Sequence, residues 1–268
     1  MNTILLPTDF SKNALMAADF AVTKLANEST TFILTHVYDI PRGGTSGLFY
    51  LLEELKKQAE KDLANFTSLL QERFKDKKIK LEVQLSQGDF AERTMLIAKE
   101  FKADCIVMGT KGSSGIKEVL IGSSTIDMMK QLKIPLYIVP ENIQDIEIEK
   151  VILSFDGKPL NEMASKAISN FVNQHQTPLQ LLHVRIGADA LPIQDWSELK
   201  GSFSGSKIEL HESYGESLEE GLKKGTEGAK GLLVMIKRKQ SFWERFFNIS
   251  DCQKAVMNTS LPMLIIPE

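Results

Sequence analysis

Short apolar runs alternate with longer segments of helical periodicity along the first half of the chain. Runs that end in turn residues predict buried strands at residues 3–6, 31–37, 79–85, 105–108 and 134–139. The segments between them carry apolar residues at helical spacing and predict helices over residues 12–27, 48–74, 90–101 and 123–131. This alternation predicts an α/β fold with a mostly parallel sheet, helices on both faces and right-handed crossovers.

The second half of the chain repeats the pattern of the first. Residues 151–156 match 4–9, residues 182–184 match 35–37, and residues 261–268 match 134–141. Self-similarity over this length predicts a duplicated domain, with one copy at residues 1–141, a polar and acidic linker, and a second copy at residues 150–268. In the second copy, a loop rich in Gly, Ser and Asp at residues 187–206 is expected to replace the long helix.

Composition narrows the classes of function. The 268 residues are 43% hydrophobic and 25% charged, with a net charge of −3, which is ordinary for a globular protein and argues against binding to nucleic acid or to an anionic membrane. No stretch resembles a signal peptide or a transmembrane span, so a cytoplasmic location is expected. Cys105 and Cys252 lie in or beside apolar patterns and are expected to be buried free thiols rather than a disulfide or a metal site.

A glycine-bearing loop between a predicted strand and a predicted helix carries the clearest chemistry. Gly109, Gly112 and Gly122 follow the strand at 105–108, and three hydroxyl residues open the next helix, Ser123, Ser124 and Thr125. Glycines permit positive φ and close approach of the backbone, and a helix start presents N–H groups to an anion. The hydroxyls can donate to phosphate oxygens, cap the helix, or do both. The segment therefore predicts a phosphate site.

The second copy departs from this pattern. Aligned without gaps, it places Ile236, Lys239 and Ile249 where the first copy has its three glycines, and Asp251 where the first has Ser124. Isoleucine does not readily adopt positive φ, and a carboxylate would repel phosphate, so the second cradle is expected to be lost. The equivalent loop carries an aromatic cluster suited to core or interface packing, comprising Phe242, Trp243, Phe246 and Phe247.

The spacing Gly109-x2-Gly112-x9-Gly122-Ser123 resembles the nucleotide motif G-x2-G-x9-G-[ST] of the universal stress protein family. The segment Pro7-Thr8-Asp9-Phe10-Ser11 is similar to the family's first-strand signature, and His36-Val37 to its second-strand end. The resemblance covers the chain as a tandem pair. It implies two Rossmann-like domains of the adenine nucleotide α-hydrolase type, each with a five-stranded parallel sheet of order 3-2-1-4-5.

The resemblance also implies a ligand and the residues that hold it. ATP or another adenine nucleotide would bind in the first domain; whether it is ATP, ADP or AMP, and whether Mg²⁺ joins it, is left open. The adenosine end would be held by Asp9 and Val37 and lined by Pro7 and Thr8. The ribose and phosphates would be framed by Met108, Gly109 and Gly112, and the phosphates gripped by Gly122, Ser123, Ser124 and Thr125. Residues 135–139 and 262–266 would pair within one chain as a pseudo-dimer, with a homodimer as a further option.

Several residues admit a simpler interpretation. Asp9 could serve simply as a helix N-cap, although the glycine motif favours a ligand role. His36 and His183 are expected to be structural histidines. Arg42 can reach across the mouth of the site, and Lys111 and Lys117 fit phosphate neutralisation and solvation equally well.

The leading interpretation is an ATP-binding stress-response or regulatory protein in which phosphate contacts order the segment 111–121. The alternatives are a slow ATPase and a protein-interaction module without a ligand. Against the ATPase, no water-positioning carboxylate or glutamine is evident near the phosphates, and no GxxxxGK[ST] loop occurs.

Overall fold

The structure is a computed structural model of the chain. It describes residues 1–39, 48–110, 122–141, 147–155, 159–186, 203, 207–237 and 261–267. The chain divides into two compact units, with the division after Glu141. Strands and helices alternate along both units, which confirms the α/β class. The loop expected at 187–206 lies outside the described residues, apart from Phe203.

In its described part, the first unit follows the alternation read from the sequence. Its strands are β1 (Thr3–Pro7), β2 (Thr31–Tyr38), β3 (Lys80–Gln87), β4 (Cys105–Gly109) and β5 (Leu136–Val139). Its helices are α1 (Lys12–Phe20), α2 (Leu48–Arg73), α3 (Phe90–Glu100) and α4 (Ser123–Gln131). The predicted helix over 12–27 is divided, because α1 continues as a π-helical turn over Ala21–Leu25. The Ala26 N–H closes that turn by donating to the Ala21 carbonyl at 3.0 Å.

The strands of the first unit are parallel and run in the order β3-β2-β1-β4-β5. The chain moves outward from β1 through β2 to β3 and then returns to the other side of β1. With right-handed crossovers, that reversal places α1 and α2 on one face and α3 and α4 on the other. The carboxyl ends of β1 and β4 therefore meet at the switch point of the sheet, where ligands bind in open α/β folds.

The central strands form the core of the first unit. Ile4, Leu5, Ile106 and Val107 are fully buried, which explains their near-continuous apolar runs, because helices cover both faces of a parallel sheet. On one face, the Arg73 guanidinium of α2 forms two hydrogen bonds with the carboxylate of Asp19 in α1.

Among the described residues, no helix has the length and apolarity that a membrane span requires.

The described part of the second unit repeats this topology. Its strands are β6 (Lys150–Phe155), β7 (Leu179–Ile186), β8 (Ile208–Gly215), β9 (Gly231–Lys237) and β10 (Met263–Pro267). Its helices are α5 (Glu162–His175) and α6 (Leu218–Thr226). These strands are also parallel and run in the order β8-β7-β6-β9-β10.

The two units differ in the ladder that flanks the switch point. The pairing of β1 with β4 ends at Leu5 and Ile106, whereas that of β6 with β9 continues two residues further, to Ser154 and Met235. Successive residues of a strand direct their backbone groups to alternate neighbours. The Thr8 N–H donates to the Thr35 carbonyl of β2, so the backbone groups of the preceding residue point toward β4. That residue is Pro7, which has no N–H to give.

Helix α6 packs closely against β7 through glycines. A Cβ on Gly221 would overlap Cγ1 of Val184, and one on Gly225 would lie 2.7 Å from Cδ1 of Leu182. The Gly221 carbonyl accepts a hydrogen bond from the buried Ser213 hydroxyl of β8 at 2.7 Å. Two glycines four residues apart therefore set the distance between the helix and the sheet.

Gly221→Ala tests this packing. Overpacking at a stiff valine costs about 1–3 kcal/mol, and the gain in helix propensity, about 1 kcal/mol, offsets only part of it. We expect a lower urea midpoint, with Lys223→Ala on the exposed side of the same helix close to wild type. A Gly221→Ala variant as stable as wild type would contradict the close approach of α6.

Candidate functional site

The turn after β1 is held by its own side chains. The Thr8 N–H extends the sheet by donating to the Thr35 carbonyl at 2.8 Å, while the Thr8 hydroxyl accepts from the Phe10 N–H at 2.9 Å. The Asp9 carboxylate accepts from the Ser11 N–H at 3.1 Å. Ser11 is the N-cap of α1, because its hydroxyl accepts from the Ala14 N–H. Asp9 is therefore not the helix cap; it orients the turn that leads to the cap.

Phe10 takes a backbone conformation that is unusual for a residue with a side chain. Its φ is +65°, a region where a Cβ is disfavoured by about 1–2 kcal/mol. The Thr8 hydroxyl holds its N–H, and its ring packs against His36 and Phe66 with centroid distances of 4.4 and 5.9 Å. These contacts fix the direction in which the chain leaves β1. The sequence contained no signal for them.

The two histidines at the second-strand ends have the same structural role. His36 Nδ1 lies 2.7 Å from the Thr8 carbonyl, and His183 Nδ1 lies 3.1 Å from the Phe155 carbonyl. A carbonyl only accepts, so Nδ1 carries the proton in both. The sequence separation is 28 residues in each pair. The expectation of structural histidines is confirmed.

The end of β4 is joined directly to the start of α4. The Thr110 N–H donates to the Val139 carbonyl at 3.1 Å, and the Thr110 carbonyl accepts from the Gly122 N–H at 2.8 Å. The second bond brings together the two residues that flank the segment 111–121. We call this hydrogen bond the stem. The stem places the N-terminus of α4 beside the carboxyl end of β4.

Gly122 is the N-cap of α4 and offers no side chain to the first turn. Its φ of −60° is open to any residue, so positive φ is not the reason for glycine at this position. What glycine provides is an unobstructed helix start. Ser123 and Ser124 are exposed there. Thr125 is buried, and its hydroxyl donates to the Gly109 carbonyl at 3.3 Å, so its side chain ties α4 to β4.

Close packing explains why residue 109 is a glycine. A Cβ at this position would lie 2.5–2.9 Å from three atoms of the Asn13 amide. Gly109 is not among the described residues with positive φ. A larger residue at this position is therefore disfavoured by the clash with Asn13 and not by the backbone conformation. Asn13 is only 4% exposed and was not anticipated from the sequence, where it reads as an ordinary helix residue.

The predicted site residues form two groups at the carboxyl edge of the first unit. A buried floor consists of Pro7, Thr8, Met108 and Thr125. A more accessible rim consists of Asp9, Val37, Gly109, Gly122, Ser123 and Ser124. Gly112, Arg42, Lys111 and Lys117 lie outside the described residues, as do the second-copy positions Asp156, Lys239, Ile249 and Asp251.

Within the described parts of the chain, no group of His, Cys, Asp and Glu side chains could hold a metal ion. Cys105 is a buried free thiol, as predicted, and burial raises its pKa well above the ordinary range, so it is protonated and unreactive. In the second unit, Lys237 follows Ile236 at the end of β9, and partial burial lowers its pKa.

Comparison with known proteins gives the family. The sequence profile of the universal stress protein family matches residues 1–140, so the chain belongs to that family. A universal stress protein of Methanocaldococcus jannaschii, MJ0577, is 27% identical over 150 residues, which cover 51% of this chain and 93% of that protein. YxiE of Bacillus subtilis is 24% identical over 145 residues, covering 52% and 98%.

A solved structure extends the likeness in fold to the whole chain. A universal stress protein from Archaeoglobus fulgidus superposes with a TM-score of 0.75, covering 100% of this chain and 96% of its own, at 19% sequence identity. At that identity the match supports the fold alone. The Rossmann-like, two-domain character of the chain is consistent with this neighbour.

Thr125→Val tests the link between α4 and β4. Valine keeps the shape but removes the donor to the Gly109 carbonyl, so we expect a loss of about 1 kcal/mol in the free energy of unfolding. Thr125→Ser keeps the hydroxyl but removes a buried methyl group, so its loss of about 0.8 kcal/mol measures the packing contribution alone. Ser123→Ala, at an exposed position, should change stability by less than about 0.5 kcal/mol. Urea unfolding measures all three, and a valine variant as stable as wild type would refute the bond.

Proposed function

We propose that the first unit binds ATP, or another adenine nucleotide, at the carboxyl edge between β1 and β4, and that the protein acts as a nucleotide-binding regulator of the stress response. The stem is the observation that carries this proposal. It holds an N-cap without a side chain beside the end of β4, at the switch point of the sheet.

The start of α4 suits the phosphates. The first N–H groups of a helix have no intrahelical acceptors and carry a partial positive charge, so they favour an anion. Gly122 leaves this end open, and the exposed hydroxyls of Ser123 and Ser124 add donors beside it. Gly112 would complete the cradle from within the segment 111–121.

The ends of β1 and β2 suit the adenosine. Thr35 directs its backbone groups toward β1, because its carbonyl accepts from Thr8, and Val37 two residues later faces the same side. Since β1 ends at Pro7, the Val37 backbone faces the space beyond that strand. A backbone N–H and carbonyl there can pair with the edge of an adenine, and the half-buried Asp9 lies in the turn that borders the same space.

Nucleotide occupancy would act on the segment 111–121. Phosphate contacts would favour one arrangement of the segment above the stem and so bias which partners or copies bind. The assembly through residues 135–139 and 262–266, the choice among ATP, ADP and AMP, a role for Mg²⁺ and a cytoplasmic location stay predictions. The second unit, with Ile236 in place of Gly109, would not hold phosphate.

Asp9→Asn tests the site without disturbing its turn. Asparagine keeps an oxygen that can accept from the Ser11 N–H, so the protein should unfold at its wild-type urea midpoint while ATP affinity falls about tenfold or more, equal to about 1.4 kcal/mol. Titration calorimetry measures the affinity, and release of inorganic phosphate from the same samples separates binding from hydrolysis.

Gly122→Val is the companion variant at the phosphate end. Its side chain would occupy the open helix start, while its φ of −60° is accessible to valine. We expect ATP binding to be lost. If both Asp9→Asn and Gly122→Val bind ATP as the wild type does, the site is assigned to the wrong place.

A further inference from the structure

Asn13 occupies the space between the start of α1 and the end of β4. It is the second residue of α1, and its side chain is buried although it is polar. The amide packs so closely on Gly109 that no β-carbon fits between them. The Asn13 Nδ2 group also donates to the Thr110 hydroxyl at 3.3 Å. One amide therefore contacts both Gly109, the last residue of β4, and Thr110, which follows it.

Those two residues anchor the phosphate end of the site. Gly109 accepts from the Thr125 hydroxyl of α4, and Thr110 accepts from the Gly122 N–H through the stem. Moving either residue would displace the first turn of α4. A shift of about 1 Å in a binding group is enough to weaken a preorganised site. Asn13 is thus linked to the start of α4 through Gly109 and Thr110.

The duplicated unit changes these positions together. The N-caps Ser11 and Asn161 accept from Ala14 and Ala164, which aligns α1 with α5 and places Met163 at the position of Asn13. In β9, Ile236 stands at the position of Gly109. Amide and glycine in one unit are thus replaced by thioether and isoleucine in the other. Met163 is 43% exposed, so it does not reproduce the buried amide.

We propose that Asn13 is a positioning residue that sets the spacing between the end of β4 and the start of α4 for the nucleotide phosphates. This role rests on the proposed function. The buried amide lies at the phosphate end, whereas the adenosine end is formed by β1 and β2. Loss of Asn13 should therefore weaken the binding of phosphates while sparing the nucleoside.

The test compares ATP with adenosine in the full-length Asn13→Ala variant. We expect ATP affinity to fall about tenfold or more and adenosine affinity to change less than about twofold, measured by titration calorimetry. Met163→Ala, the matched position in the second unit, should bind both ligands as the wild type does. Equal losses for ATP and adenosine, or no loss for either, would overturn the positioning role.

Thr110→Val and Thr110→Ser cover the case in which Asn13→Ala unfolds. Valine removes the acceptor of the Asn13 amide, whereas serine keeps it, so only valine should lower the ATP-to-adenosine affinity ratio. Equal ratios in the two variants would overturn the proposal. If the wild type binds neither ATP nor adenosine, the proposed function is wrong and so is this role of Asn13. If the wild type binds both and the ATP-to-adenosine affinity ratio is unchanged in every variant, only the role of Asn13 is wrong.

The contact with Gly109 has its own readout in stability. Gly109→Ala should destabilise the wild type through its clash with the amide, and the same change in an Asn13→Ala background should cost clearly less, because the clashing atoms are gone. A double-mutant cycle in urea measures the coupling. Additive effects would show that the amide does not limit residue 109 and would overturn the argument at its first step.

Discussion

The hydrogen bond from the Gly122 N–H to the Thr110 carbonyl is the constraint on which the candidate site depends. It joins the two residues that flank the segment 111–121 and fixes the start of α4 against the end of β4. Two side chains bond the residues beside it: the Thr125 hydroxyl donates to the Gly109 carbonyl, and the Asn13 amide donates to the Thr110 hydroxyl. Backbone geometry and two buried side chains therefore fix the start of α4 beside β4, with the exposed Ser123 and Ser124 at its surface.

The duplication supplies a comparison within one molecule. Both units have the same strand order and the same histidine-to-carbonyl bond, so both keep the scaffold. They differ at the switch point, where Pro7 is replaced by Ser154, Asn13 by Met163 and Gly109 by Ile236. The ladder that Pro7 ends is continued by Ser154 in the second unit. The two units thus share the scaffold and differ in residues at the edge where a ligand would bind.

The elements of the fold could be predicted from the sequence because burial on both faces of a parallel sheet leaves apolar runs such as Ile4–Leu6, and because helices between the strands carry apolar residues at helical spacing. The candidate site could be predicted at this edge because the spacing of glycines and hydroxyls after a buried strand resembles a nucleotide motif. The physical reasons for these glycines could not be predicted. Neither Gly122 nor Gly109 has positive φ, and Gly109 needs its small size because Asn13, 96 residues earlier in the chain, packs on it. Contacts over such separations, like the strained Phe10 held by His36 and Phe66, leave no trace in a single sequence.

Native mass spectrometry of the full chain with ATP tests the central claim most directly, because it counts bound nucleotides. We expect one ATP per chain at saturation, with hydrogen-exchange protection gained at the ends of β1 and β4 and not at those of β6 and β9. Two nucleotides per chain, or protection confined to the second unit, would contradict it.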